Sequence, residues 1–278
     1  MRAGRTAAGG GRDAVLRVAT TAAAVALVAF LALPFVALLL RASPGQLVAR
    51  LGDPVVLGAL RLSLVTSVAA TAIVALLGLP LAWLLATRDF PGKRIVEVVV
   101  DLPMVLPPTV AGFALLMAFG RMGLAGHALA ALGVSIPFTT AAVVLAQVFM
   151  AAPFFVGPAR AGIAAVDARL VEAAATLGAS ETTTLRRVVL PLAMPSIAAG
   201  LAMSGARALG EFGATITFAG NLPGTTQTMP LAVYVALQSD LDAAVVLSVL
   251  LLAMAFGLLL GLRSAPGGWA WNRSRARA

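Results

Sequence analysis

The chain has 278 residues, 60% hydrophobic and 11% charged, with a mean hydropathy of +1.00. An average soluble domain carries about 25% charged residues, so these proportions exclude a single water-soluble globular domain and leave a polytopic membrane protein. Lys+Arg 20 against Asp+Glu 11 gives +9; the absence of cysteine excludes disulfides and thiolate chemistry, and the single histidine, His127, excludes a multi-histidine metal site.

A helix needs about 20 apolar residues to cross the hydrocarbon core. Residues 18–40 form the first uncharged run of that size. The run exceeds a signal-peptide core and no small-x-small cleavage site follows it, so it reads as a retained anchor. Residues 62–87, 102–120 and 138–159 are the next three runs, a fifth begins after Pro195, and a sixth covers 243–262. The expected fold is therefore all-α, with six transmembrane helices between a basic N-terminal tail (1–17) and a basic C-terminal tail (263–278). The first helix and its outer loop occupy 18–54. Residues 1–11 and 264–278 have the Gly, Ala and Arg bias of disordered segments.

The distribution of Lys and Arg sets the orientation. With the N-terminus inside, fifteen of the 20 basic residues fall on inner segments. Arg41, Arg50, Arg61 and Arg121 fall outside, and Arg207 lies within a span. Both termini are thus expected in the cytoplasm. Most of the +9 then reports topology, not a nucleic-acid partner.

On the second span Ser63, Ser67 and Thr71 recur every four residues and share a face. Such hydroxyls either line an anion path or bond neighbouring helices. Pro103, Pro107 and Pro108 break the start of the third span and free backbone groups, which membrane depth tolerates only against protein or a water-filled cavity. The break either lines a channel or is a kink satisfied by neighbours. His127 falls in an outer loop, where exposure is expected.

The loop between the fourth and fifth spans, 160–195, is the longest inner one. Asp167 or Ala168 starts a first short helix, Ala173 to Leu177 propagate it and Gly178 stops it. Ser180 caps a second helix that Pro191 is expected to end. This is a rigid hairpin suited to a partner's groove, or else a plain connection.

In the fifth span Arg207 and Glu211 are four apart and can pair on one helix face. They either organise an outer gate, with Arg207 tempering the field for a passing anion, or form a structural ion pair. Asn221, Thr225, Thr226, Gln227 and Thr228 cluster outside, with donors suited to an oxyanion, to an ordinary turn or to a protein partner. Residues 229–238 read as a short amphipathic helix. Gly257 and Gly261 have the spacing of close helix packing.

The loop resembles a known family. Glu172, Ala173, Ala174, Gly178, Val188, Leu190 and Pro191 match the EAA motif of ABC importer permeases, with Val188 in place of the usual isoleucine. The resemblance implies that this loop couples to a cytoplasmic ATPase. In agreement, the chain contains no Gly-x4-Gly-Lys-Ser/Thr phosphate loop, paired carboxylates, nucleophile elbow or His-Glu-x-x-His helix. Residues 101–112, with Leu106, Pro107 and Pro108, look like the Leu-Pro-x-Val-Leu-Pro-Pro segment of molybdate permeases. So do Gly210-Glu211-Phe212-Gly213 and the stretch from Asn221 to Thr228; sulfate permeases share Gly-Glu-Phe-Gly but diverge more beyond it.

Over 55–262 the resemblance implies a type I (MetI-like) permease domain in the cytoplasmic membrane. It implies a homodimer serving two ATPase subunits and an external molybdate-binding protein, with ATP and Mg bound by the ATPase. This chain would be no enzyme and hold no cofactor. Tungstate is too similar to molybdate to separate by sequence, and sulfate is the nearest rival. An ion-coupled secondary transporter would have only Arg207 and Glu211 as coupling groups and no purpose for the loop.

Overall fold

The computed structural model describes residues 7–264, with side chains over 14–261. Of the disordered tails expected at 1–11 and 264–278, residues 1–6 and 265–278 lie outside the described residues, whereas 7–11 and 264 are helical. No strand occurs among the described residues, so the fold is all-helical.

α1 (Ala7–Arg41) takes in residues 7–17, which the sequence reading assigned to a tail. Once the apolar run is helical, extension through flanking Ala and Arg adds one backbone bond per residue fixed and needs no second nucleus. α2 (Pro44–Leu51) follows. α3 (Pro54–Thr87) starts where Asp53 accepts the Val55 N–H and Pro54 sits in the first turn. It begins before the uncharged run and includes Arg61, whose long stem lets its charge stay at the exposed end.

The third expected span is two helices. α4 (Lys93–Val105) keeps Pro103 inside it, and α5 (Pro108–Phe119) starts after a break at Leu106 and Pro107. Leu106 donates the last bond of α4 to the Leu102 carbonyl. Pro107 and Pro108 have no N–H to continue the ladder, and Pro107 is extended at φ −54°, ψ 133°. The break falls near the start of the expected 102–120 run, while α4 begins nine residues before that run.

α6 (Gly126–Ala131) carries exposed His127, and α7 (Thr140–Ala164) is capped by Thr139, which accepts the Ala142 N–H. The long loop forms α8 (Ala168–Thr176) and α9 (Glu181–Thr184), which runs through a π-helical turn at Leu185–Val189 into α10 (Leu190–Leu209). Then come α11 (Gly213–Phe218), α12 (Met229–Ser239) and α13 (Leu241–Ser264). The helix expected at 229–238 is α12.

Among the described residues five stretches are long and apolar enough to cross a membrane: Ala14–Arg41, Pro54–Thr87, Thr140–Ala164, Glu181–Leu209 and Leu241–Gly261. The outside of the bundle is apolar, with Leu76 73% and Val105 82% exposed, a surface that water would not support.

α7 is the central helix and packs most extensively on α10 and α3. Small residues permit these crossings. A Cβ on Gly78 would meet the Phe155 ring at 2.9 Å, one on Gly200 the Phe155 carbonyl at 3.0 Å, and one on Gly162 the side chain of Ser196. Ala70, Ala151 and Ala208 meet where the three helices join. Among the described residues a Cβ on Gly257 or on Gly261 would meet nothing within 4 Å.

Candidate functional site

The loop hairpin is built by local caps. Asp167 accepts the Arg169 N–H at 2.9 Å and pairs with its guanidinium at 2.6 Å. That hydrogen bonding holds the exposed Asp167 carboxyl below its ordinary range. α8 stops at Gly178, whose φ of +79° is a left-handed conformation that a side chain resists. Ser180 then caps α9 by accepting the Thr183 N–H at 3.3 Å.

Pro191 does not end the second helix. The π turn sends the Leu190 N–H to the Leu185 carbonyl, one residue beyond α register, and α10 continues with Pro191 in its first turn. The wider register accommodates a proline that lacks an N–H and would crowd the carbonyl four residues back.

On this hairpin Glu172, Ala173 and Gly178 are exposed, Ala174 is half-buried, and the Glu172 carboxylate forms no ion pair among the described residues. Val188 and Leu190 are half-buried and Pro191 is exposed. Their neighbour Val189 anchors the hairpin in the core beside Leu85, Ile163 and Ala193. Beneath α8 lies a cleft of ≈ 490 Å³ reaching from Glu172 and Val171 to Trp83 and Leu185. Arg88, at the end of α3, bonds both Glu181 oxygens at 2.8 Å across that cleft. Arg88 and Trp83 have no signal in the loop's own sequence; only folding brings them there.

The other candidates divide by what they already bond. Ser63 Oγ accepts the Met229 N–H at the start of α12 at 2.7 Å. Thr71 donates to the Ser67 carbonyl at 2.6 Å and Ser67 to the Leu64 carbonyl at 3.3 Å. Ser63 and Ser67 are buried between helices and Thr71 is half-buried. In the loop between α11 and α12 the Thr225, Thr226 and Gln227 N–H groups all point at the Leu222 carbonyl, at 3.1, 2.9 and 3.0 Å. Thr226 Oγ1 accepts the Leu222 N–H at 2.8 Å. These donors hold a turn. Asn221 Oδ1 and Thr228 Oγ1 are buried without a hydrogen-bond partner among the described residues, and Gln227 lines a cavity of ≈ 270 Å³ beside Arg50 and Asp240.

Arg207 and Glu211 do meet, at 2.6 Å, but not on one helix face. α10 starts at Leu190, with Pro195 inside it, and ends at Leu209, so Glu211 lies in the elbow before α11. There it is fully buried, and its Oε1 accepts the Ala214 N–H at 2.7 Å. Pro107 and Pro108 lie close by. A Cβ on Gly213 would meet the Pro108 side chain at 2.6 Å, and one on Gly112 the Ala214 carbonyl at 2.6 Å. The two helix breaks are thus seated in each other. On the exposed side, the Thr109 and Val110 N–H groups at the start of α5 have no acceptor among the described residues.

Three features escaped sequence reading. Arg160 on α7 pairs with Glu97 on α4 at 2.8 Å, and Arg50 with Asp240 at 2.7 Å; neither pair has a local spacing signal. Gln147, a lone amide in an apolar run, is buried with its Oε1 unpaired among the described residues. No group of three or more His, Asp or Glu able to hold a metal occurs among the described residues.

Among the described residues, five helices long and apolar enough to span a membrane, two nested breaks and a capped hairpin describe a multi-pass helical membrane protein. Residues 78–263 match the family of binding-protein-dependent transport system inner membrane components, and the chain belongs to that family. It is 44% identical over 239 residues to the "Molybdenum transport system permease protein ModB" of Mycobacterium bovis, covering 86% of this chain and 90% of that protein. It is 35% identical over 239 residues to the "Probable sulfate transport system permease protein cysT" of Chlorokybus atmophyticus, covering 84% and 82%. A solved bacterial alginate ABC transporter, in complex with a periplasmic protein bound to alginate pentasaccharide, has a chain of the same fold. Its TM-score is 0.73 at 18% identity, over 94% of this chain and 96% of that one.

Proposed function

We propose that the chain is the permease subunit of an ABC importer that carries molybdate across the cytoplasmic membrane. The observation that carries this reading is the match of 44% over 86% of the chain to a molybdenum permease, well above the 35% to a sulfate permease. The exposed Glu172 face of the hairpin supports coupling to an ATPase that binds ATP and Mg and does the hydrolysis. The permease itself makes and breaks no bonds. Counted as one broken span, α4 and α5 would bring the spans to six, in a type I (MetI-like) architecture. The bias of basic residues favours both termini inside, and the apolar outer faces favour a homodimer in the bilayer with two ATPases below. An external binding protein would deliver the anion above. ATP-driven closure of the ATPases would move the hairpin and open the outer gate; inward opening after hydrolysis would release the anion.

Tungstate shares the size and charge of molybdate, and the sulfate relative keeps sulfate as a second reading. The test is ATP-dependent uptake by the reconstituted complex with its binding protein, under competition from each oxyanion. Molybdate and tungstate are expected to compete at similar concentrations and sulfate only far above them. Equal competition by sulfate would overturn the substrate reading. Transport by the chain without any ATPase would overturn the class.

A further inference from the structure

Glu211 is 0% exposed and Arg207 is not: 23% of the Arg207 side chain remains accessible at the elbow. Glu211 spends one oxygen on the Ala214 N–H and the other faces the Arg207 guanidinium. A guanidinium has five N–H donors in a fork suited to oxyanions. One carboxylate cannot occupy them all, and Arg207 has no other partner among the described residues. The close approaches of Gly213 to Pro108 and of Gly112 to Ala214 hold this elbow against the break before α5.

We infer that Arg207 is the group that meets the transported oxyanion, and that Glu211 is a positioning residue that aims the guanidinium and balances its charge. This rests on the proposed import of a tetrahedral oxyanion. An unbalanced guanidinium at this mostly buried position would hold a dianion, whereas passage needs binding weak enough for release. Glu211 lowers the field without filling the donors, and its bond to Ala214 keeps the pair at the elbow.

The test uses the full complex with its binding protein, scoring complex yield, uptake and stimulated ATP hydrolysis. Glu211→Gln is expected to lower the apparent KM for the anion several-fold and to lower kcat at least as much. Arg207→Lys, which keeps the charge but loses the fork, is expected to raise KM at least threefold at unchanged yield. The double variant Arg207→Gln/Glu211→Gln removes both charges together. It is expected to assemble and to import about tenfold more slowly. A purely structural pair predicts recovery in the double variant, so wild-type uptake there, or an unchanged KM in Arg207→Lys, would overturn the inference. Wild-type import of sulfate but not molybdate would sink the substrate reading alone, and the variants would then be scored on sulfate. Wild-type import of neither anion would overturn both.

Discussion

Ser63 on α3 accepts the backbone N–H of Met229 at 2.7 Å, across 166 positions of sequence. The hydroxyl is fully buried and satisfies an amide at the start of α12 that has no helical partner of its own. Ser63→Ala leaves that amide buried and unpaired, at a cost of about 1–3 kcal/mol. The expected outcome is a lowered unfolding midpoint in detergent, while Thr71→Ala, at a half-buried hydroxyl bonded within its own helix, moves it less.

The nested breaks predict a contrast between glycines. A side chain at Gly112 would run into the Ala214 carbonyl, so Gly112→Val is expected to cost about 1–3 kcal/mol by overpacking. A methyl at Gly257 meets nothing, so Gly257→Ala is expected to stay within about 0.5 kcal/mol. Thermal unfolding of the two variants side by side checks this. Equal losses would mean that Gly257 is packed by another molecule in the assembly.

Gly178 joins α8 to α9 at φ +79°. Gly178→Ala places a Cβ in the left-handed region at about 1–2 kcal/mol, although the space around it is open. Strain in the turn should therefore reorient the hairpin and leave the bundle intact. Helix content by circular dichroism is expected to hold while recovery of the complex with the ATPase falls.

Asp240 starts α13, and its carboxyl is held below the ordinary range. The Ala243 N–H lowers it first, burial opposes, and the Arg50 guanidinium adds to the lowering. A carboxyl lowered in the folded state contributes stability that is present above its unfolded pKa and is lost as pH falls through the folded value. The protection of the Ala243 amide, relative to the intrinsic exchange rate at each pH, is expected to be full at neutral pH and to fall once acid protonates Asp240. Asp240→Asn should flatten that dependence.

Much of the fold is legible locally because lipid leaves backbone groups no partner but their own helix. Long apolar runs therefore announce spans, and Asp53, Thr139, Asp167 and Ser180 mark helix starts by chemistry within a few residues. Gly178 marks a stop for the same reason. The misreadings fall where one local rule met another. Pro191 reads as a terminator, yet the π turn at Leu185–Val189 carries the helix past it. Arg207 and Glu211 read as one helix face, yet α10 ends between them and the pair survives only because the elbow brings the chain back.

By itself the sequence determined the solvent, the helical class, most of the spans and the hairpin, because each depends on hydropathy and on bonds between near neighbours. Tertiary structure alone decided which polar groups are already spent. Ser63 is committed to α12, the Thr225 to Gln227 amides to Leu222, and Glu97 to Arg160. Burial and pairing are settled between helices distant in sequence, and no periodicity along one helix records its neighbour. That is why the Thr225 to Gln227 amides, which looked ready for an anion, are occupied, while part of the Arg207 side chain stays accessible at the elbow.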